Sequence, residues 1–132
     1  MSLDIGVRKG KSWGLIQGEP WLCLDDDGYY WFLYPYIERL RAVTGQYIDL
    51  YDHASFSEQD VVALEQMLLT VRAHVESQPH TWEVSIGTQV TPDIKEVYET
   101  VQRKQFLKLI TRFQQVVTRA KELGRPVVCL GD

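Results

Sequence analysis

Three consecutive carboxylates, Asp25, Asp26 and Asp27, stand directly before Gly28 and the aromatic run Tyr29, Tyr30, Trp31, Phe32, Tyr34 and Tyr36, broken only by Leu33 and Pro35. Adjacent carboxylates repel one another, so a cation, an amine or a guanidinium would relieve them, and rings beside them could wall a pocket. A calcium loop is the sharpest version of that chemistry. With Gly28 as the sixth residue of such a loop, the first and twelfth would be Cys23 and Tyr34. A hard cation wants oxygen ligands at both, with a carboxylate at the twelfth, and finds a thiol and a phenol. The loop is not of that kind, and the acids read more simply as a polar turn before core.

A second group lies in "DLYDH", where Asp49, Asp52 and His53 stand within five residues. A carboxylate can orient an imidazole as a base or share a metal with it. The other histidines, His74 and His80, do not stand at H-x-x-x-H spacing, and no C-x-x-C occurs, so no third ligand can be named. Hydrogen bonds from Asp49 or Asp52 to nearby backbone are the simpler expectation. Nucleophile elbows, phosphate loops and dinucleotide fingerprints are absent; "GKSWG" lacks the upstream glycine of a phosphate loop. No cofactor and no metal is implied. Cys23 and Cys129 each sit in an apolar run, "WLCL" and "VVCL", and read as buried, unpaired thiols of a reducing compartment.

The elements that must position these groups follow from pattern. Residues 1–18, with four glycines and weak periodicity, read as loosely structured, with one short strand at most. "PWLCL" and "YYWFLY" flank Asp27-Gly28 as a hairpin would, with a strand to Tyr34 and a helix starting at Pro35. The rival, one helix from Asp27 or Gly28 through Leu40, is set aside because Pro35 inside it would remove a hydrogen bond and clash with the preceding turn. Gly45 caps that helix, and "YIDLY" reads as a strand. Ser57 and Asp60 resemble a capping box before a helix whose Val61, Leu64, Met67, Leu68, Val71 and Val75 share one face. "WEVSI" alternates as a half-buried strand. Residues 94–101 fit either a helix after Pro92 or a partner strand, and the strand is preferred because "VYETV" is rich in strand formers. A long helix from Gln102 to Leu123, capped by Gly124, leads to a last strand in "PVVCL". The sum is one α+β domain over 1–132, a small and mostly antiparallel sheet packed against two long amphipathic helices.

Two features exceed what a monomeric core needs. Val62 and Leu69, with Ala73, form a second apolar stripe on the Ser57 helix. On the C-terminal helix Lys104, Lys108, Arg112 and Arg119 fall within an arc of about 80°. Charge is also segregated. Glu19 to Glu99 carries fifteen acids and four bases, so −11; residues 1–18 carry three bases and one acid, so +2; residues 100–132 carry seven bases and two acids, so +5. These sum to the overall −4.

An acidic body repels phosphate, which argues against a nucleic-acid partner, and no apolar run is long enough for a membrane span. Small acidic, aromatic-rich chains without catalytic motifs include bacterial toxin-neutralising immunity proteins; the chain is similar to them in class, and the likeness transfers no residues. The expected function is a non-enzymatic cytoplasmic interaction module, immunity-like or adaptor-like. Its expected partner is a basic protein, with a two-fold homodimer through Val62, Leu69 and the basic helix face as a further expectation. The rival is a small enzyme or ligand-binding protein using Asp25–Asp27, Asp49 and His53 beside aromatic walls.

Overall fold

The computed structural model describes residues 2–90 and 92–132. Nine elements follow in order: β1 (Ser2–Val7), β2 (Trp21–Asp25), α1 (Gly28–Thr44), β3 (His53–Phe56), α2 (Gln59–Glu76), β4 (Thr81–Gln89), β5 (Lys95–Gln102), α3 (Arg103–Leu123) and β6 (Val127–Leu130). The fold is α+β. An antiparallel sheet in the order β2-β1-β6-β3 carries the helices on one face, and β4 and β5 form a separate antiparallel hairpin. Alternation decides which side chains meet the helices. Leu3, Ile5, Val7, Leu22, Leu24, Ala54, Phe56, Val127 and Cys129 are all buried there. No helix among the described residues is long and apolar enough to cross a membrane.

Several sequence expectations are corrected. Residues 2–7 are not loose: β1 is an interior strand paired on both sides. No hairpin turns at Asp27-Gly28, because β2 pairs with β1 and the chain enters a helix at Gly28 instead. That helix passes straight through Pro35. Tyr30, Leu33, Ile37 and Leu40 recur at helical spacing and are buried, while Pro35 is exposed, so its ring sits on the solvent side. Only the Trp31 carbonyl loses its helical partner, and the packed face outweighs that loss.

"YIDLY" is not a strand. Ile48 and Leu50 are buried alternately as a strand's would be, but the Leu50 and Asp52 carbonyls accept from the Asp132 and Gly131 amides at 2.9 and 3.0 Å. The chain's last residues hold this segment as a turn. Gly131 is needed for that approach, since a Cβ there would lie 2.8 Å from the Asp49 carbonyl oxygen and closer still to the Asp52 backbone. The Ser57–Asp60 capping box does not form either. Glu58, at φ 50°, occupies the cap position without a side-chain bond, and only the Ser57 carbonyl receives the Asp60 amide.

The α2 core face, the strand over 95–102 and the long last helix stand as expected. The apolar phase slips between Val101 and Phe106 because β5 runs into α3 without a loop, Arg103 N donating to the His80 carbonyl at the junction. Phe106 locks that junction. It is fully buried, stacked on Trp82 at 6.1 Å and met edge-on by Tyr29 and Phe32.

Candidate functional site

Two of the three carboxylates at 25–27 serve the start of α1. Asp27 Oδ1 accepts from the Tyr29 and Tyr30 amides at 3.0 and 3.3 Å, capping the helix. Asp26 Oδ1 accepts from Trp31 Nε1 at 2.7 Å. From the hairpin, Glu99 Oε1 accepts from the Gly28 amide at 3.0 Å. Acids at a helix N-terminus satisfy amides that have no intrahelical acceptor and meet the positive end of the helix dipole. Gly28 is required because a Cβ there would stand 2.7 Å from Val101 Cγ1. Partial burial raises the Asp27 pKa against the lowering pull of the two amides. Asp25 alone of the three takes no part in the helix start, and stays exposed beside Cys23, 3.8 Å from its sulfur.

The aromatic run is divided among structural contacts. Tyr30 is buried and donates to the Ile48 carbonyl at 2.8 Å. Its pKa is raised by that burial first, then by Tyr47 and by neighbouring carboxylates. Tyr34 shares a 2.7 Å hydrogen bond with Tyr47, Tyr36 meets His74 Nδ1 at 2.5 Å, and Tyr29 accepts from the Gln102 amide at 3.2 Å. The rings clamp α1 to the 46–52 turn, to α2 and to the hairpin.

Asp49, Asp52 and His53 do not join the acids at 25–27. His53 begins β3 and Asp25 ends β2, at opposite edges of the sheet. Three inter-strand steps separate those edges, about 14 Å. Asp49 Oδ1 accepts from Tyr51 N at 3.1 Å and Asp52 Oδ1 from His53 N at 2.8 Å, so both carboxylates brace the turn. His53 is exposed, its ring 5.3 Å from that of Trp13. Among the described residues no three His, Cys, Asp or Glu side chains are placed to hold a metal.

The cysteines are unpaired but not alike. Cys129 is buried, which pushes its thiol up to about 12. Cys23 is exposed, contrary to expectation, because Leu22 and Leu24 take the inward positions of β2 and leave the residue between them on the outer face.

Two surfaces are left without an internal role. On α2, Val62 and Leu69 are 48% and 52% exposed, so their stripe belongs to no intramolecular core. Val43 of α1, 76% exposed, lies across a groove of about 320 Å3 whose walls are Tyr36, Leu40, Ala63 and Met67. On the other flank a groove of about 310 Å3 between α2 and α3 is lined by Leu68, Leu69 and Val117. Both grooves also have polar walls, Arg39, Gln66 and Thr70 on one flank and Glu65, Gln114 and Thr118 on the other, and the exposed apolar side chains beside them are Val43, Val62 and Leu69. Sequence periodicity identified Val62 and Leu69; Val43 was missed because its helix was expected to begin at Pro35 and carried no face assignment.

The second surface is the basic side of α3, and the row of four divides. Arg119 makes a bidentate pair with Glu19 at 2.7 and 3.1 Å, which lowers the Glu19 pKa. Lys104, Lys108 and Arg112 have neither a salt bridge nor a side-chain hydrogen bond among the described residues. Lys108 and Arg112 line a groove of about 620 Å3 against β2 with Trp21, Leu24, Tyr29 and Leu109. No sequence pattern signalled this groove, since its two walls are eighty residues apart. Val90 and Ile94 near the hairpin's far end, and Tyr98 in the middle of β5, are also exposed.

No protein-family model, no curated protein and no solved structure matches the chain.

Proposed function

We propose that the chain is a non-enzymatic protein-interaction module, immunity-like or adaptor-like, whose docking face is the outer side of α2 with its two flanking grooves. The observation that carries this reading is the joint exposure of Val43, Val62 and Leu69 on neighbouring helices. Single exposed apolar residues are ordinary, but a contiguous set beside grooves is a contact surface. A basic partner is favoured by charge. Of the fifteen acids from Glu19 to Glu99, three are salt-bridged among the described residues, namely Glu19, Glu65 and Glu76. The remainder make an acidic field that steers a cationic protein toward the molecule.

The rival reading as an enzyme or ligand-binding protein is less favoured, since Asp26, Asp27, Asp49 and Asp52 accept from backbone or indole groups and His53 lies at the sheet edge away from Asp25–Asp27. A cytoplasmic home remains part of the proposal, supported by two unbonded cysteines.

Affinity capture from the cell of origin tests it, using the parent and a Val62→Glu, Leu69→Glu variant side by side. The reading expects a defined protein of basic isoelectric point, or a second copy of the chain, recovered with the parent and lost with the variant. Identical recoveries from both would overturn it.

A further inference from the structure

We infer that the open edge of β2 docks an extended acidic segment of a partner protein, which adds to the sheet as a fifth strand and sets alternate carboxylates against the cations of α3. This goes beyond the α2 face and uses a different side of the molecule.

β2 pairs with β1 and ends the sheet, so the backbone groups on its other side have no strand partner. Edges of this kind are normally blunted by a lysine or proline in the strand, a bulge or a covering element. "WLCLD" has neither lysine nor proline, its register with β1 is unbroken, and a groove rather than an element lies along it. Backbone hydrogen bonds and side-chain pockets are what strand addition uses for affinity and specificity.

Helix α3 supplies the second wall. Near the start of β2, Glu19 is bonded to Arg119; just past its end, Tyr29 meets Phe106 with ring centroids 5.2 Å apart. Helix and strand therefore run antiparallel, side by side. Lys104, Lys108 and Arg112 recur every four residues along the helix, a rise of about 6 Å per step. Alternate residues of a strand repeat at about 6.7 Å. Carboxylates on two alternate residues of an added strand thus stay in step with Lys108 and Arg112, which line the groove together with Leu109 and with Trp21, 49% exposed. Asp25 and Asp27 lie at the other end of the groove and repel acids there, so the segment's charge belongs opposite Lys108 and Arg112.

The same geometry disfavours the other occupants. A second copy joined edge to edge would place two α3 rows, each with three cations, against each other. A nucleic acid has no alternating amides and carbonyls to continue a sheet, and meets Asp25 and Asp27.

A seven-residue peptide alternating valine and glutamate is the probe, with a same-composition peptide whose glutamates are consecutive as control. The alternating peptide should slow hydrogen exchange of the outward amides within Trp21–Asp25 and bind less tightly as salt rises. Lys108→Glu with Arg112→Glu should weaken binding ~tenfold or more, and the neutral Gln pair by less, in line with the cost of removing interfacial charge pairs. The Val62→Glu, Leu69→Glu variant should bind the peptide as the parent does, which separates this site from the α2 face. No exchange protection at millimolar peptide overturns the inference. Equal protection by the control peptide, or unchanged affinity in both charge variants, does so as well. Concentration-dependent protection of β2 without peptide would assign the edge to a second copy instead.

Discussion

The turn at Asp25–Asp27 and the outer faces of α2 and α3 use the same vocabulary, a run of like charge beside apolar side chains, and do opposite things with it. At the turn, Asp26 and Asp27 each accept a hydrogen bond from a group that folding would otherwise leave unsatisfied, and the rings that follow clamp α1 to three neighbours. On the outer faces Val62 and Leu69 are half exposed, and Lys104, Lys108 and Arg112 have no salt bridge or side-chain hydrogen bond among the described residues. A charged or aromatic run therefore marks a binding surface only when its groups are unclaimed. Changes in the first region should lower stability, and changes in the second should lower association.

The largest effect belongs to the aromatic junction. Phe106→Ala removes the buried ring shared by Tyr29, Phe32 and Trp82, and should cost about 3–5 kcal/mol by chemical denaturation. A loss below 1 kcal/mol would mean that the hairpin is not anchored there. Next comes the cap: Asp27→Ala should cost about 1 kcal/mol, while Asp25→Ala, which removes no backbone acceptor, should change stability by less than about 0.5 kcal/mol. Equal losses at the two positions would erase the contrast within the turn.

A smaller effect follows from Glu19. Its pKa is held below the ordinary value by the hydrogen bond from Arg119. The folded state therefore binds this proton less readily than the unfolded state does. The pair's stabilisation is fully present above the unfolded-state pKa and is lost as pH falls through the lowered folded value. Glu19→Gln should accordingly flatten part of the decline in melting temperature on the acid side and leave the alkaline side unchanged in slope. An unaltered acid limb would show that the pair contributes nothing in solution.

How much of this could be read from sequence depended on whether the signal was local. The α2 core face, the α3 stripe and the strand in "WEVSI" carry their own periodicity, the last strand follows from Gly124 and Pro126, and each formed. Pro35 was read by its local rule and misled, because the rule weighs one lost hydrogen bond and a ring clash but not the buried face of Tyr30, Leu33, Ile37 and Leu40. "YIDLY" misled for the opposite reason. Its alternation is real, yet its carbonyls are claimed by residues eighty positions away at the chain's end. For the candidate surfaces, Val62 and Leu69 were legible because both lie on one helix. The β2–α3 groove was not, since it exists only once distant segments pack together.

The most direct measurement places a photo-crosslinking amino acid at Gln66, exposed on α2 between Val62 and Leu69, and in a second protein at Glu83, exposed on the outer side of the hairpin. Irradiation in the cell of origin should yield a discrete adduct with one protein at Gln66 and none at Glu83. No adduct at Gln66, or the same adduct from both positions, would contradict the assignment of the α2 face as the docking surface.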